Sequence, residues 1–365
     1  MKKILILVFI FFINLGMVLA QEAVFLPSQV GVVQTVKYVD GDDNITGVKQ
    51  VVDIKLITGD NKNSFIQLDN VLTGNPYYDI KLKKGMRVIL HVEDDNGDLI
   101  FSIADVKRSH ALVWLSLIFA GLLVYIGKIK GINSLVSIVI TCFLIINLLS
   151  PMIISGIEPV FATILICLVS TSITLILVGG VNRKSVSAIL GCTLSLVFAG
   201  ILSFLIVKLA NLTGFASEQS VFLYSTYPDL NFIAITISTI ILATLGAVMD
   251  VAISIASTIN EIYTIDNSKS VKELFDSGMN VGRDIIGTMA NTLILVYLGA
   301  SMPFLLLTSN IDFQKFINLN QVVTEISSAL IGSCAIIICV PITAFVASRW
   351  VKNTTQKIDF SSIDV

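Results

Sequence analysis

Charge is the scarcest commodity in this 365-residue chain: Asp, Glu, Lys and Arg together make up 14%, against 55% hydrophobic residues. An ordinary soluble chain carries roughly 25% charge, so a wholly soluble reading is excluded and part of the surface must face lipid. Histidine occurs twice, as His91 and His110, too few and too far apart for a zinc or haem set or for a Ser/His/Asp triad. The five cysteines (Cys142, Cys167, Cys192, Cys334, Cys339) contain no CxxC pair and all lie in apolar runs, which excludes a disulfide framework and reads them as small buried hydrophobes. Basic excess is missing too. A net charge of -2 gives no field for nucleic acid. No metal, cofactor or catalytic set is expected, and the chain is not read as an enzyme. Gly121 to Lys128 has five residues between its glycines where a phosphate loop has four, and Asp40–Asn44 and Asp94–Asn96 lack the Gly and Glu of a calcium loop.

What charge there is sits unevenly. Residues 22–109 hold ten Lys/Arg and thirteen Asp/Glu, whereas residues 110–365 hold only twelve and thirteen in nearly three times the length. Met1-Lys2-Lys3, the apolar run from Ile4 and the small-residue end at Ala20 have the form of a secretory signal, cleaved or kept as an anchor, over residues 1–20. Residues 22–109 then alternate in short β-branched runs: Val30–Val39, Val48–Ile57, Ser64–Leu72, Tyr77–Leu82, Arg87–Val92 and Asp98–Val106. Asp95-Asn96-Gly97-Asp98 is the clearest hairpin turn. Five or six strands predict a small extracytoplasmic all-β domain, barrel or OB-like.

Seven apolar stretches follow, at about 110–127, 132–153, 157–179, 185–210, 230–257, 285–308 and 325–348, each matched to a hydrocarbon core of about 30 Å. The fold class is therefore an all-α polytopic bundle of seven transmembrane helices (110–350) behind a β domain, with a cytoplasmic tail at 351–365. With the β domain outside, ten Lys/Arg fall on inner connections and only Lys208 and Lys315 on outer ones, which agrees with the signal and places the C-terminus in the cytoplasm. The outer segment 211–231, with Tyr224 and Tyr227, is expected at the membrane interface. In the inner insert 258–284, Ser270-Val271-Lys272-Glu273 is a capping box that predicts a short amphipathic helix. TLSLVFAG at 193–200 and TLILVYLG at 292–299 suggest a two-helix internal repeat.

One acid stands well inside an apolar run: Asp250, followed at helical spacing by Ser254, Ser257 and Glu261. The next span carries Asp284, Thr288 and Asn291 at the same offsets, with Thr292 beside them. An ionised carboxylate at the bilayer centre costs about 2.5–3.5 kcal/mol on insertion scales, so it must face protein or water. If the stripes face each other they line a polar path, with Asp250 titrating or binding a cation. Alternatively the hydroxyls only bridge helices, while Gly246, Ala252, Ala256, Gly287 and Gly299 permit close packing.

GAVMDVAISIAS at 246–257 and GRDIIGTMANTLILVYLGASMP at 282–303, separated by a short insert, resemble the hallmark of the YibE/F family of bacterial membrane proteins. The resemblance covers about 110–350, and the N-terminal β domain is similar to that of the longer, YibE-like members. It implies a multi-pass protein of the bacterial cell membrane that either pairs with a YibF-like partner or forms a homo-oligomer, and it carries over no catalytic residues. Two functions follow: permease-like, ion-coupled transport through the site between the fifth and sixth spans, or a non-transporting envelope assembly or interaction role exercised by the β domain.

Overall fold

The computed structural model describes residues 28–39, 48–59, 61–95, 98–306, 308 and 311–358. The expected signal at 1–20, Asn96-Gly97 of the hairpin and the last seven residues of the tail lie outside these. Contacts separate residues 21–125 from residues 126–365 as two units, each taken by itself below.

The first unit is an antiparallel sheet of β1 (Gln29–Val39), β2 (Lys49–Leu56), β3 (Phe65–Val71), β4 (Arg87–Asp95) and β5 (Asp98–Val106) in the order β3-β2-β1-β4-β5. The outer strands β3 and β5 curl toward each other, giving the nearly closed five-stranded barrel that the alternation predicted. Val52, Ile54 and Leu56 point inward at the two-residue period of a strand and meet Val33, Val88 and Leu90 in the barrel core. A register shift between Val33 and Thr35 bends β1, the strand shared by both neighbours β2 and β4.

The expected strand at Tyr77–Leu82 does not form. Pro76 removes a donor just before it, and side-chain amides take the place of a ladder. Gln50 accepts from the Leu82 N–H (3.0 Å) and donates to its carbonyl (3.2 Å), while Asn70 donates to the Ile80 carbonyl (2.7 Å). Leu82 thereby reaches the core without belonging to the sheet. Asp79 closes the preceding loop by accepting from the Thr73 N–H (2.6 Å), the Thr73 hydroxyl (2.9 Å) and the Gly74 N–H (2.8 Å). Desolvation pushes its carboxyl up, but these donors and the nearby Lys81 charge together hold it below the ordinary carboxylate value. A folded pKa that is lowered contributes stability above the unfolded pKa and loses it as pH falls through the folded one. Protection of the Thr73 and Gly74 amides, taken relative to their intrinsic exchange rates at each pH, should therefore fall only at acid pH, below the ordinary carboxylate value of about 3.9. Hydrogen-exchange mass spectrometry checks this, and protection that does not change with pH would rule it out.

Beyond β5 the described chain is almost wholly helical: α1 (Ser109–Leu144), a five-residue π turn (Ile145–Leu149), α2 (Ser150–Ile154), α3 (Pro159–Gly179), α4 (Arg183–Leu209), α5 (Glu218–Thr226), α6 (Phe232–Ile265), α7 (Val271–Ala300), α8 (Met302–Leu306), α9 (Phe313–Ile317) and α10 (Asn320–Ile358). Among the described residues six helical stretches are long and apolar enough to cross a membrane, where the sequence predicts seven spans. The difference lies in the first, Ser109–Ile154, whose 46 residues are about twice what one crossing needs. It is broken at Lys128 (φ 49, ψ -129), between the two apolar runs read as separate spans.

Helix starts follow local chemistry. Asn182 accepts from the Ser185 N–H and Asn231 from the Ala234 N–H, both at 3.0 Å, while Glu158 precedes Pro159 and accepts from the Phe161 N–H. The capping box forms: Ser270 Oγ accepts from the Glu273 N–H (3.2 Å), and Glu273 accepts from the Ser270 N–H (2.7 Å). The short amphipathic helix expected there is instead the first part of α7, which runs unbroken into the next span because no proline interrupts 271–300. Ser270→Ala should cost about 1 kcal/mol, seen as a lower melting temperature of the detergent-solubilised chain; unchanged melting would show the cap to be idle.

In the second unit α6 and α10 are central, and Ile240, Ile241, Val248, Ala252, Ile255, Ile259, Cys339 and Val340 form its middle. Glycines set the closest approaches: a methyl added to Gly278 would lie 2.6 Å from Ile259 Cδ1, and one on Gly282 would strike Val340. Between α1 and α3 a polar ladder repeats every helical turn. Asn133 donates to the Leu177 carbonyl (2.8 Å), Ser137 donates to Thr174 (2.6 Å), and Thr141 meets Ser170 (2.8 Å). Cys167, Cys192 and Cys339 are buried as expected, but Cys142 and Cys334 lie on the outside of the bundle; all five are free thiols. Aromatic packing gathers segment 211–231, with Phe215 stacked on Phe232 at 4.8 Å and Tyr224 edge-on to both.

Candidate functional site

Asp250 stands near the middle of the 34-residue α6. The face of α6 that packs inward carries Val248, Val251, Ala252, Ile255 and Ile259, and Asp250 projects on the opposite side. Ser254 and Glu261 are exposed on the same side and Ser257 is half-buried. On α7 the inward face is Leu274, Gly278 and Gly282, and Asp284, Thr288, Asn291 and Thr292 are all exposed away from it. Both stripes exist as continuous helical faces, but each looks out of the bundle. Within one chain they enclose no polar path.

Their depths match. Ile259 packs over Gly278, and Thr244 and Leu293 both lie against Gly332 of α10. In that antiparallel register Asp250 is level with Gly287 and Thr288, between Asp284 and Asn291. The hydroxyls donate along their own helices: Ser254 to the Asp250 carbonyl (2.7 Å), Thr288 to that of Ile285 (3.0 Å) and Thr292 to that of Thr288 (2.9 Å). Their oxygens keep lone pairs free for a ligand. Among the described residues the side chains of Asp250, Asp284 and Asn291 make no ion pair and no hydrogen bond; Arg283 turns to Asn280 (3.0 Å) and not to Asp284. Chemically this is a carboxylate, an amide and hydroxyl oxygens in one band of the membrane, suited to taking up a proton or a small cation.

The expected packing residues separate into two groups. Ala252 and Ala256 are fully buried. Gly246, Gly287 and Gly299 face open space, with nothing within 4 Å of an added methyl. They are thus exposed beside the polar stripes, and the close contacts inside the bundle are made by Gly191, Gly200, Gly278, Gly282 and Gly332. Gly200 packs on Ile241 whereas Gly299 touches nothing, so the suggested repeat does not reproduce its packing. Periodicity picked out the stripes, but all-round apolar helices gave no sign of which side is inward. One membrane acid was passed over: Glu325, in the second turn of α10 and half-buried beside Tyr297. Its position four residues past the polar Asn320-Gln321 was the available signal.

The family model described as YibE/F-like protein matches residues 115–353, and the one described as YibE/F family N-terminal domain matches residues 27–106. No match was found among curated proteins and none among solved structures.

Proposed function

As the chain belongs to the YibE/F family, we propose that it is a permease-like membrane component coupled to a proton or cation gradient, whose polar site is completed by a second membrane chain. The observation that carries this reading is the outward placement of Asp250 at mid-span without a hydrogen bond or ion pair among the described residues. A carboxylate left in hydrocarbon is costly; apposed polar groups or a water-filled seam remove that cost. The bare glycines beside it, Gly246 and Gly287, suit close approach of another helix. A second copy or a YibF-like chain supplies the other wall, Asp250 takes up the ion, and Asp284, Thr288 and Asn291 lend oxygens. The loop charges favour the barrel outside and the tail of α10 in the cytoplasm. Uptake by proteoliposomes under an imposed proton or sodium gradient tests the proposal: Asp250→Asn should lower it by about tenfold or more, and uptake undiminished in the mutant would refute it.

The barrel favours a second reading through its exposed aromatics. Tyr77 and Tyr78, 73% and 71% exposed, stand edge to face at 4.8 Å. If the barrel recognises an envelope partner, deleting residues 28–106 should be the damaging change, with Asp250→Asn acting through stability alone.

A further inference from the structure

We propose that the cleft between the end of α7 and the start of α10 is a lipid site for an amphiphile with an alkyl chain and an ammonium head, Glu325 being the counter-charge. This does not depend on the transport reading. The cleft has a volume of about 160 Å³ and is walled almost entirely by apolar side chains, among them Ile294, Leu298 and Ala329. An engineered cavity of about 150 Å³ admits benzene, so a short run of alkyl chain fits. The polar exceptions are Glu325 and Gln321 from α10, Tyr297 from α7 and Ser301 just past the end of α7.

Depth sets the orientation of the occupant. Tyr297 lies beside Ser328 and Leu293 against Gly332, so the helices run antiparallel with Glu325 level with Ala300, the last residue of α7. Glu325 is also the first residue of the apolar run 325–348, which puts it at an end of that span, while Ile294 and Ala329 lie further along the cleft toward its middle. Charge complementarity selects the head. Among the described residues Glu325 forms no ion pair and no hydrogen bond, and no cluster of acids able to hold a metal ion is present. A single carboxylate at the mouth of an apolar cleft attracts an N–H-bearing cation and repels an anionic head. Gln321 adds an amide oxygen as a further acceptor.

Native mass spectrometry of the full-length protein in detergent, with equal amounts of dioleoyl phosphatidylethanolamine and dioleoyl phosphatidylglycerol, provides the test. We expect the ethanolamine lipid to be retained about tenfold over the glycerol lipid, the size of one charge-assisted hydrogen bond. Glu325→Gln should erase that preference, and Leu298→Trp, at an exposed position that leaves the core untouched, should reduce retention of both lipids. Added octylamine reads the source: displacement of the lipid means that any alkylammonium fits, and failure to displace means that the whole headgroup is recognised. Equal retention of the two lipids, or a preference that survives in Glu325→Gln with melting unchanged, would overturn the proposal.

Discussion

Gly191→Val is expected to remove most of the folded protein. On α4, a methyl added to Gly191 would lie 2.9 Å from Thr343 Cβ and 3.1 Å from its Cα, and would overlap the Thr343 hydroxyl. The obstacle is backbone as well as side chain, and Thr343 is fully buried on α10, so it has nowhere to turn. Overpacking of this kind costs about 1–3 kcal/mol, and here the two helices must also move apart. Thermal unfolding in detergent should show a large fall in melting temperature or in the yield of monodisperse protein. Gly246→Val is the matched control: an added methyl there meets nothing within 4 Å, so the single chain should melt as before. If both variants melt alike, the α4–α10 contact is not as close as described.

The second large effect concerns Asp250→Asn. Asparagine keeps the shape and loses the charge, so the exposed face of α6 is otherwise unaltered. On the transport reading, gradient-driven uptake in proteoliposomes should drop by about 10- to 150-fold, the equivalent of one interaction with a charged group of roughly 1.5–3 kcal/mol. Asp250→Glu, which restores a titratable group one methylene further out, should recover part of it. Melting should stay level across the three proteins, because Asp250 makes no hydrogen bond or ion pair among the described residues. A mutant that transports normally would leave the barrel as the working part.

Local chemistry was the legible part of the chain. Val52, Ile54 and Leu56 alternate as a strand should, Ser270 and Glu273 form their reciprocal cap, and the apolar runs on either side of Lys128 correspond to separate stretches of helix. The segment Tyr77–Leu82 shows where that chemistry stops: its composition is that of a strand, but Gln50 and Asn70, distant in sequence, occupy its backbone groups. For the bundle the difficulty is more general. Lipid is as apolar as the interior, so hydrophobicity does not distinguish the side of α6 bearing Ile255 from a lipid-facing side, and the helices associate through small residues whose contacts depend on their neighbours. Gly191 and Gly246 read alike in sequence, yet one meets Thr343 and the other open space. The same reason hid the outward aim of the Asp250 stripe: periodicity left open whether it lines a path or only packs helices.

The most direct test of the central claim, that Asp250 is an ion-binding group, is proton and sodium binding to the purified protein in nanodiscs by calorimetry and pH titration, wild type against Asp250→Asn. The account predicts a titrating site in the wild type that is missing in the mutant while both melt at the same temperature. Identical titrations, with no cation bound by either protein, would contradict it.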